Sequence, residues 1–216
     1  MIDLAGAGVG LAVFSPLLVA IALAAGIAQG RPILFRQQRP GLGGRPFTMV
    51  KFRTMRFPRA DEMSFKADAQ RVTRLGRFLR ATSLDELPEL WNVLKGEMSL
   101  VGPRPLLMEY LDRYLPDEAR RHDVRPGVTG WAAVRGRHAL PFEERLRLDV
   151  WYVDHRSLSL DLQIIVLTVT SVLQRQGVAT VQRADEMSLP ERFRSVQPSE
   201  RTVAGDTHPK HVRNRR

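Results

Sequence analysis

The first thirty residues carry the longest apolar run in the chain. No charged side chain occurs between Leu4 and Ala28, and a stretch of this length can cross a bilayer as a helix. A cleaved signal peptide is a poorer interpretation, because no positive residue precedes the run. The pattern therefore predicts a membrane-embedded helix over residues 1–30.

The pair Ser15-Pro16 interrupts the middle of this run. Pro16 has no N–H to donate to the carbonyl of Ala12, and its ring crowds the same turn, so we expect a kink. The Ser15 hydroxyl can bond part of the freed backbone. Two geometries stay open from the residues alone: a full span, or a helix that turns back to the face it entered. The basic residues that follow at once predict a cytoplasmic location for the rest of the chain: Arg31, Arg36, Arg39 and Arg45.

Beyond the apolar run, the polar and apolar positions predict an α+β fold, mostly helical with a small β-hairpin. Two strands are predicted over 33–37 and 47–52, on either side of a Pro/Gly-rich turn at 40–44. An uncharged segment at 162–173 is too short to span a membrane, which predicts a buried or interfacial helix. Helical spacing is present in four further segments: 61–81, 85–94, 105–114 and 142–156.

These patterns divide the chain into three parts. We expect the membrane-embedded helix over residues 1–30 and a folded domain over 31–177, which would carry the chemistry. Over 178–216 mixed charges, Pro and Gly replace any periodicity, and this predicts a disordered basic tail.

Charge narrows the range of partners. The chain has 33 Lys and Arg against 23 Asp and Glu, a formal net charge of +10, which favours an anionic membrane surface, phosphorylated substrates or nucleic acid. Aromatic residues make up only 7% of the chain and no zinc-finger spacing occurs, so we expect no nucleic-acid partner. The absence of cysteine excludes disulfides and thiol catalysis.

The segment Ser83-Leu84-Asp85-Glu86 has two interpretations. Ser83 and Glu86 match the S-x-x-E capping box of a helix start, and spacing alone favours this structural role. The adjacent carboxylates of Asp85 and Glu86 also suit phosphoryl transfer, in which one attacks phosphorus while the other holds a divalent cation or handles a proton. A helix N-terminus also receives phosphate oxygens well.

At these residues the chain resembles the bacterial sugar transferases, the monotopic polyprenyl-phosphate phosphoglycosyl transferases, in a short single-domain form. The resemblance covers about residues 3–175. The matching pieces occur in family order: Ser15-Pro16, Lys51-Phe52-Arg53-Thr54-Met55, Ser83-Leu84-Asp85-Glu86-Leu87-Pro88, Gly96-Glu97-Met98-Ser99-Leu100-Val101-Gly102-Pro103-Arg104-Pro105, Arg125-Pro126-Gly127-Val128-Thr129-Gly130-Trp131, Gly136-Arg137, Asp149-Val150-Trp151-Tyr152-Val153 and Leu160-Asp161-Leu162.

The resemblance implies a ping-pong reaction. Asp85 would attack the β-phosphate of a UDP-sugar, release UMP and then pass the phosphosugar to polyprenyl phosphate. Glu86 would assist Mg²⁺ or position the incoming phosphate, so that Asp85 and Glu86 form the metal site. The family's phosphate-binding basic positions correspond to Lys51, Arg80, Arg104 and Arg137, and its additional active-site acid corresponds to Asp161.

The resemblance also implies a place in the cell. The helix broken at Ser15-Pro16 would be re-entrant, in the inner membrane of a bacterium, with the catalytic domain on the cytoplasmic face. The expected reaction initiates assembly of exopolysaccharide or another glycoconjugate. Asp149 is left out of the predicted site, since a pair with a helical neighbour such as Arg145, one turn earlier, is a sufficient interpretation.

Four matters stay open at this point. After Trp131 the chain has Ala-Ala-Val-Arg-Gly-Arg-His where the family usually has Ala-Gln-Val-Asn-Gly-Arg-Asn, so the sugar is not identified; homo-oligomerisation is equally undecided. A pyrophosphatase-like membrane hydrolase could use the same acids with water. A non-catalytic basic adaptor would use Asp85 and Glu86 only to cap a helix.

Overall fold

The computed structural model of the protein describes residues 2–57, 70–136, 140–173 and 190–194. Within these ranges the chain is mostly helical with two small sheets, which confirms the predicted α+β class. The helices are α1 (Ile2–Gln29), α2 (Arg74–Ala81), α3 (Glu89–Leu94), α4 (Pro116–Ala119), α5 (Trp131–Arg135), α6 (Phe142–His155), α7 (Leu158–Leu173) and α8 (Glu191–Arg194). The strands are β1 (Leu34–Pro40), β2 (Pro46–Phe52), β3 (Ser99–Val101) and β4 (Gly127–Thr129), and 3₁₀ turns lie at Leu42–Gly44, Leu84–Glu86, Met108–Arg113 and Arg120–His122.

Helix α1 is the apolar N-terminal segment. It contains an 18-residue window of mean hydropathy 2.4 with few buried residues, so by length and composition it could cross a membrane. Pro16 lies inside the helix, and the Ser15 hydroxyl donates to the Ala12 carbonyl at 2.8 Å. This bond serves the carbonyl that Pro16 leaves without an N–H, as the sequence predicted. The kink and the re-entrant path remain predictions.

Strands β1 and β2 form the predicted hairpin. They pair antiparallel from Leu34 opposite Phe52 to Pro40 opposite Pro46, and the connection includes the 3₁₀ turn at Leu42–Gly44, where both glycines have positive φ. Side chains alternate along a strand, so Lys51 lies on the same face as the buried Phe47 and Met49. The alternation therefore turns a lysine toward the interior of the domain.

Strands β3 and β4 form a parallel pair that the periodicity did not predict. Their close approach requires glycine, because a Cβ at Gly127 would lie 2.1 Å from the backbone nitrogen of Gly102. The Gly127 N–H also donates to the Pro103 carbonyl at 3.0 Å. This contact anchors the loop after β3 against β4.

Helices α6 and α7 confirm two predicted helices. Tyr152 of α6 and Leu160 and Ile164 of α7 pack in one buried cluster. The opposite side of α7 presents apolar side chains to the surroundings, since Leu162 is 53% and Val166 60% exposed. The helix is thus buried on one side and apolar on the other, which fits the expected interfacial helix.

Three other predicted helices differ from observation in extent. The helix expected over 61–81 is observed as α2, and residues 58–69 lie outside the described ranges. The segment 105–114 forms a 3₁₀ turn rather than an α-helix. The helix predicted over 85–94 is observed as α3, which begins at Glu89.

Residues 190–194 differ from the disordered tail that the sequence predicted, and the rest of 178–216 lies outside the described residues. Helix α8 packs the fully buried Phe193 edge-on against Tyr110, with ring centroids 5.0 Å apart. Arg113 donates to the Arg192 carbonyl at 2.6 Å, and the Arg192 guanidinium pairs with Glu118. One buried aromatic ring stabilises such a short segment by about 2–3 kcal/mol.

We expect Phe193→Ala to lower the free energy of unfolding by about 3 kcal/mol, because it empties a fully buried aromatic site. Denaturation in detergent micelles, followed by tryptophan fluorescence, measures this loss. Phe78→Ala is the matched control: Phe78 is 55% exposed, and its replacement should change the free energy by less than about 0.5 kcal/mol. Equal losses in the two variants would contradict the docking of α8.

Candidate active site

Acidic and basic side chains from separate segments meet beside the hairpin. Lys51 comes from β2, Arg80 from the last turn of α2, and Asp85 and Glu86 from the 3₁₀ turn between α2 and α3. Arg104 comes from the loop after β3. The structure therefore brings five of the sequence-predicted site residues into one electrostatic cluster.

The turn that carries the two acids is built by Ser83. Its backbone has φ 56° and ψ 17°, the left-handed conformation that commonly ends a helix, here just after α2. A non-glycine residue pays about 1–2 kcal/mol for this conformation. Ser83 makes no side-chain capping bond, and the Glu86 carboxylate binds two cations instead. The capping-box interpretation is therefore wrong.

Glu86 sits between two cations. Its Oε1 accepts from Lys51 Nζ at 2.8 Å and from the Arg104 guanidinium at 2.7 Å. Burial acts to raise the pKa of Glu86, but the charges and hydrogen bonds of Arg104 and Lys51 outweigh it and hold the pKa well below its usual range. Glu86 is thus ionised and fixed in place.

Asn92 fixes the acids relative to the lysine. It is fully buried on α3, and its side-chain amide donates to the Thr48 carbonyl at 2.7 Å and accepts from the Val50 N–H at 3.1 Å. This side chain pairs with β2 where a third strand would otherwise pair. Helix α3 and the preceding acidic turn are thereby held against the strand that carries Lys51.

Asp85 differs from Glu86 in its surroundings. Its residue is 9% exposed, and within the described ranges its carboxylate has no hydrogen-bond partner. Burial, followed by the charge of Glu86, raises the pKa of Asp85, against the opposing effects of Lys51, Arg104 and Arg80. The carboxylate therefore lies within electrostatic range of three cations and accepts no hydrogen bond from the described residues.

Arg80 is positioned by a close contact between α2 and the end of the hairpin. A Cβ at Gly76 would lie 1.9 Å from the Thr54 carbonyl oxygen, so only glycine permits this approach. Thr73 Oγ1 caps α2 by accepting from the Gly76 N–H at 2.9 Å. At the other end of the helix, Arg80 Nε donates to Thr54 Oγ1 at 2.9 Å.

Glu89 is a site residue that sequence reasoning missed. It is 2% exposed, and its carboxylate lies 2.9 Å from Lys51 Nζ. Burial raises the pKa of Glu89 to about 7; the Lys51 charge opposes this rise and the Glu86 charge adds to it. One feature of the sequence could have indicated it. Glu89 follows Glu86 by three residues, and in a helix this spacing places two side chains on the same side.

Arg39 is a second missed residue. It lies on β1 within electrostatic range of Arg104 and Glu89, and burial together with the Arg104 charge lowers its pKa to about 10. Its guanidinium donates to the Gln37 side chain at 2.7 Å. The sequence suggested it only as part of the basic stretch that follows the apolar helix.

The donor set can be compared with what Mg²⁺ requires. Within the part of the chain that the structure describes, no group of three or more Asp, Glu or His side chains is arranged to hold a metal ion. Mg²⁺ is nevertheless often bound through one or two carboxylates plus substrate phosphates. Asp85, with no protein donor in these ranges, fits that role better than Glu86, whose Oε1 already accepts from two cations.

Two predicted site residues stand apart from this cluster. Asp161 accepts from the Tyr152 hydroxyl at 2.7 Å and lines a different cavity, of about 290 Å³, together with Asp3 and Arg156. Burial raises the pKa of the Asp161 carboxyl. Arg137 lies outside the described residues, so its predicted phosphate-binding role stays a prediction.

Asp149 has a different partner from the one expected. Its Oδ2 lies 2.6 Å from the guanidinium of Arg121, and both side chains are buried. The prediction of a pairing with Arg145 as the main contact is wrong, because the tertiary fold brings the 3₁₀ turn at Arg120–His122 against α6. Arg145 contributes only a weaker electrostatic effect on Asp149.

The same structure thus combines an apolar helix that could cross a membrane with a cluster of acidic and basic side chains. A family model described as bacterial sugar transferase matches residues 1–175. The chain therefore belongs to the bacterial sugar transferase family.

Individual relatives are similar over most of the chain. An uncharacterized sugar transferase, EpsL, of Bacillus subtilis is 54% identical, over 69% of this chain and 74% of its own length. The UDP-glucose:undecaprenyl-phosphate glucose-1-phosphate transferase of Caulobacter vibrioides is 44% identical, over 80% of this chain and 68% of its own. The UDP-N-acetylgalactosamine-undecaprenyl-phosphate N-acetylgalactosaminephosphotransferase of Aeromonas hydrophila is 38% identical over 81% of this chain, but only 43% of its own length is covered.

The raised pKa of Glu89 predicts a pH-dependent stability. Between the ordinary carboxyl pKa of 4.5 and about 7 the folded protein keeps a proton that the unfolded chain releases, so the free energy of unfolding falls as pH rises through this window. Glu89→Gln cannot ionise, and we expect it to lose part of that fall in denaturation at pH 5, 6 and 7. Glu143→Gln, on the exposed start of α6, should keep the wild-type slope. An unchanged slope in Glu89→Gln would contradict the assignment.

Proposed function

We propose that this protein transfers a sugar-1-phosphate from a UDP-sugar to polyprenyl phosphate, with undecaprenyl phosphate as the bacterial carrier, and so initiates exopolysaccharide or other glycoconjugate assembly. Membership of the bacterial sugar transferase family supports the general reaction. The names of relatives with glucose-1-phosphate and N-acetylgalactosamine phosphate transfer support a UDP-sugar donor and an undecaprenyl phosphate acceptor. The sugar that this chain uses remains to be identified.

One observation carries the proposal. Asp85 is buried within electrostatic range of Lys51, Arg80 and Arg104, and no donor in the described part of the chain occupies its carboxylate. The neighbouring Glu86, by contrast, is neutralised by two cations. A carboxylate left free among cations is suited to attack phosphorus, since the cations can stabilise charge that develops on the phosphate oxygens.

The reaction proceeds in two displacements. An Asp85 carboxylate oxygen bonds to the β-phosphorus of the UDP-sugar, the bond from that phosphorus to the bridging oxygen breaks, and UMP leaves with the electron pair. A phosphate oxygen of the polyprenyl carrier then bonds to the same phosphorus. The bond to Asp85 breaks, which restores the carboxylate and releases polyprenyl-diphosphate-sugar.

The surrounding side chains supply charge and position. The guanidinium of Arg104, about half exposed, offers free N–H groups to phosphate oxygens beyond its bond to Glu86. The ion pair of Lys51 and Glu86, at 2.8 Å, holds the ammonium group in place next to the Asp85 turn. Asp85, with Glu86 near, would hold Mg²⁺, and the chemistry that this ion would supply is neutralisation of phosphate charge.

The membrane helix supports the lipid acceptor. Near its first residues, the Asp3 carboxylate accepts from Ser99 Oγ at 2.9 Å and from the Leu100 N–H at 3.0 Å. At its other end, the Gln29 side chain donates to the Arg53 carbonyl at 3.1 Å. Both ends of α1 thus contact the same folded domain, which favours entry and exit at one face of the inner membrane, the cytoplasmic face.

The proposal is tested with purified protein, Mg²⁺, a panel of UDP-sugars and undecaprenyl phosphate. We expect UMP release together with a lipid-linked diphosphosugar for at least one donor. UMP or sugar-phosphate release without the lipid would favour a hydrolase instead. No turnover and no covalent labelling with any donor would favour the non-catalytic adaptor.

We expect Asp85→Asn to lower kcat by on the order of 10³-fold or more, because an amide cannot serve as the nucleophile. UDP-sugar added without the lipid should leave a phosphosugar on the wild-type peptide that contains Asp85, and none on the variant, as read by mass spectrometry. Asp154→Asn, an exposed carboxylate on α6, is the control and should keep full activity. Undiminished turnover in Asp85→Asn would refute the nucleophile.

The re-entrant path predicts that both ends of α1 face the cytoplasm. The chain has no native cysteine, so Ile2→Cys and Glu143→Cys each introduce a single label site. We expect a membrane-impermeant thiol reagent to label both variants in inside-out vesicles and neither in intact spheroplasts. Labelling of position 2 from outside would show a full span.

A further inference from the structure

Arg121 and Asp149 form a buried ion pair that the proposed chemistry does not use. Their side chains are 1% and 6% exposed. Arg121 donates to Asp149 Oδ2 through both Nε, at 3.2 Å, and a terminal nitrogen, at 2.6 Å. The same terminal nitrogen donates to the backbone carbonyl of Arg104 at 2.6 Å.

The loop that carries Arg104 needs a side-chain donor such as Arg121 to hold its backbone. Pro103 and Pro105 flank Arg104 and have no N–H, so the loop cannot be held by backbone donors at these positions. The Pro103 carbonyl is held by the Gly127 N–H, and the Arg104 carbonyl is held by Arg121. These two bonds fix successive peptide groups on either side of the Arg104 Cα.

The contacts form a continuous path from α6 to the acids. Asp149 holds Arg121, Arg121 holds the Arg104 backbone, and the Arg104 guanidinium reaches Glu86 at 2.7 Å. Arginine is suited to the central position because its planar fork can serve two acceptors at once, whereas a lysine ammonium lacks that geometry. A buried pair that only stabilised the fold would not need the additional bond from Arg121 to the Arg104 carbonyl.

We propose that Arg121 and Asp149 are positioning residues for Arg104, which set the direction from which its guanidinium meets Glu86 and the substrate diphosphate. The inference rests on the proposed function, in which Arg104 binds phosphate. Neither residue touches the reacting atoms; both act through the Arg104 backbone.

The test removes the pair without leaving a charge unpaired. The double variant Arg121→Met/Asp149→Leu replaces both members by apolar side chains, an exchange that buried ion pairs often tolerate. We expect kcat/KM for the UDP-sugar to fall about 10–100-fold, as is typical when a supporting residue is lost. Arg121→Lys is the milder second variant, which keeps the pair but not the fork, and should also lower kcat/KM.

A neighbouring ion pair supplies the matched control. Arg120 and Asp154 join the same 3₁₀ turn to the same helix α6, but they are 42% and 41% exposed and have no bond to Arg104. The variant Arg120→Met/Asp154→Leu makes the same substitutions and should keep full activity. An equal loss in the control would overturn a specific role for the buried pair.

A double-mutant cycle separates positioning from general stability. In an Arg104→Ala background, the Arg121→Met/Asp149→Leu exchange should lower kcat/KM by less than about three-fold, because its target is already gone. The same fold-loss with and without Arg104 would overturn the proposal, as would no loss in the wild-type background. Full activity of Arg104→Ala would show that Arg104 has no role in the reaction, and this result would overturn the inference as well.

A measurement without substrate distinguishes this inference from the proposed function. Hydrogen exchange of peptides covering residues 101–110 should become at least about ten-fold faster in Arg121→Met/Asp149→Leu and stay unchanged in the control. Unchanged exchange in the first variant overturns the proposal even if the enzyme transfers sugar-phosphate. Faster exchange in that variant, together with no sugar-phosphate transfer by the wild-type protein, would support the role of the pair in positioning Arg104 and would refute the proposed function.

Discussion

The site depends on the enclosure of one lysine ammonium between two glutamates. Lys51 is within 2.9 Å of both Glu86 and Glu89, and no member of this group could be buried alone at acceptable free-energy cost. The Arg104 guanidinium provides a second cation for Glu86, at 2.7 Å, whereas burial favours the protonated form of Glu89. The surplus acid, Asp85, is therefore the group left without a partner among the described residues, which makes it available for chemistry.

Three structural devices hold these charges at fixed separations. The Asn92 amide joins α3 to the edge of β2, Gly76 lets α2 approach the end of the hairpin, and the left-handed Ser83 turns the chain between them. Each is a local feature that would by itself contribute little to the stability of the fold, or would lower it. Together they keep two acids and three cations within electrostatic range of one another, and fixed charges of this kind are what phosphoryl transfer needs.

The position of the apolar helix α1 completes this arrangement. Helix α1 packs Ala7 against the core that contains Phe47 and Met49, so the apolar segment is part of the domain and not only an anchor. The outer side of α7 adds a second exposed apolar surface, which includes Leu162 and Val166.

The sequence by itself determined the features whose cause is local. The apolar run, the Ser15 bond at Pro16, the hairpin around its glycine turn and the helix α6 all follow from neighbours a few residues apart, and the motif order identified the family and five members of the cluster. Only the tertiary structure decided the rest: that Glu86 pairs with Lys51 and Arg104 instead of capping, that Glu89 joins them, and that Asp161 lies in another cavity. These pairings join residues far apart in the chain, and burial, which spacing does not record, sets which charges must meet.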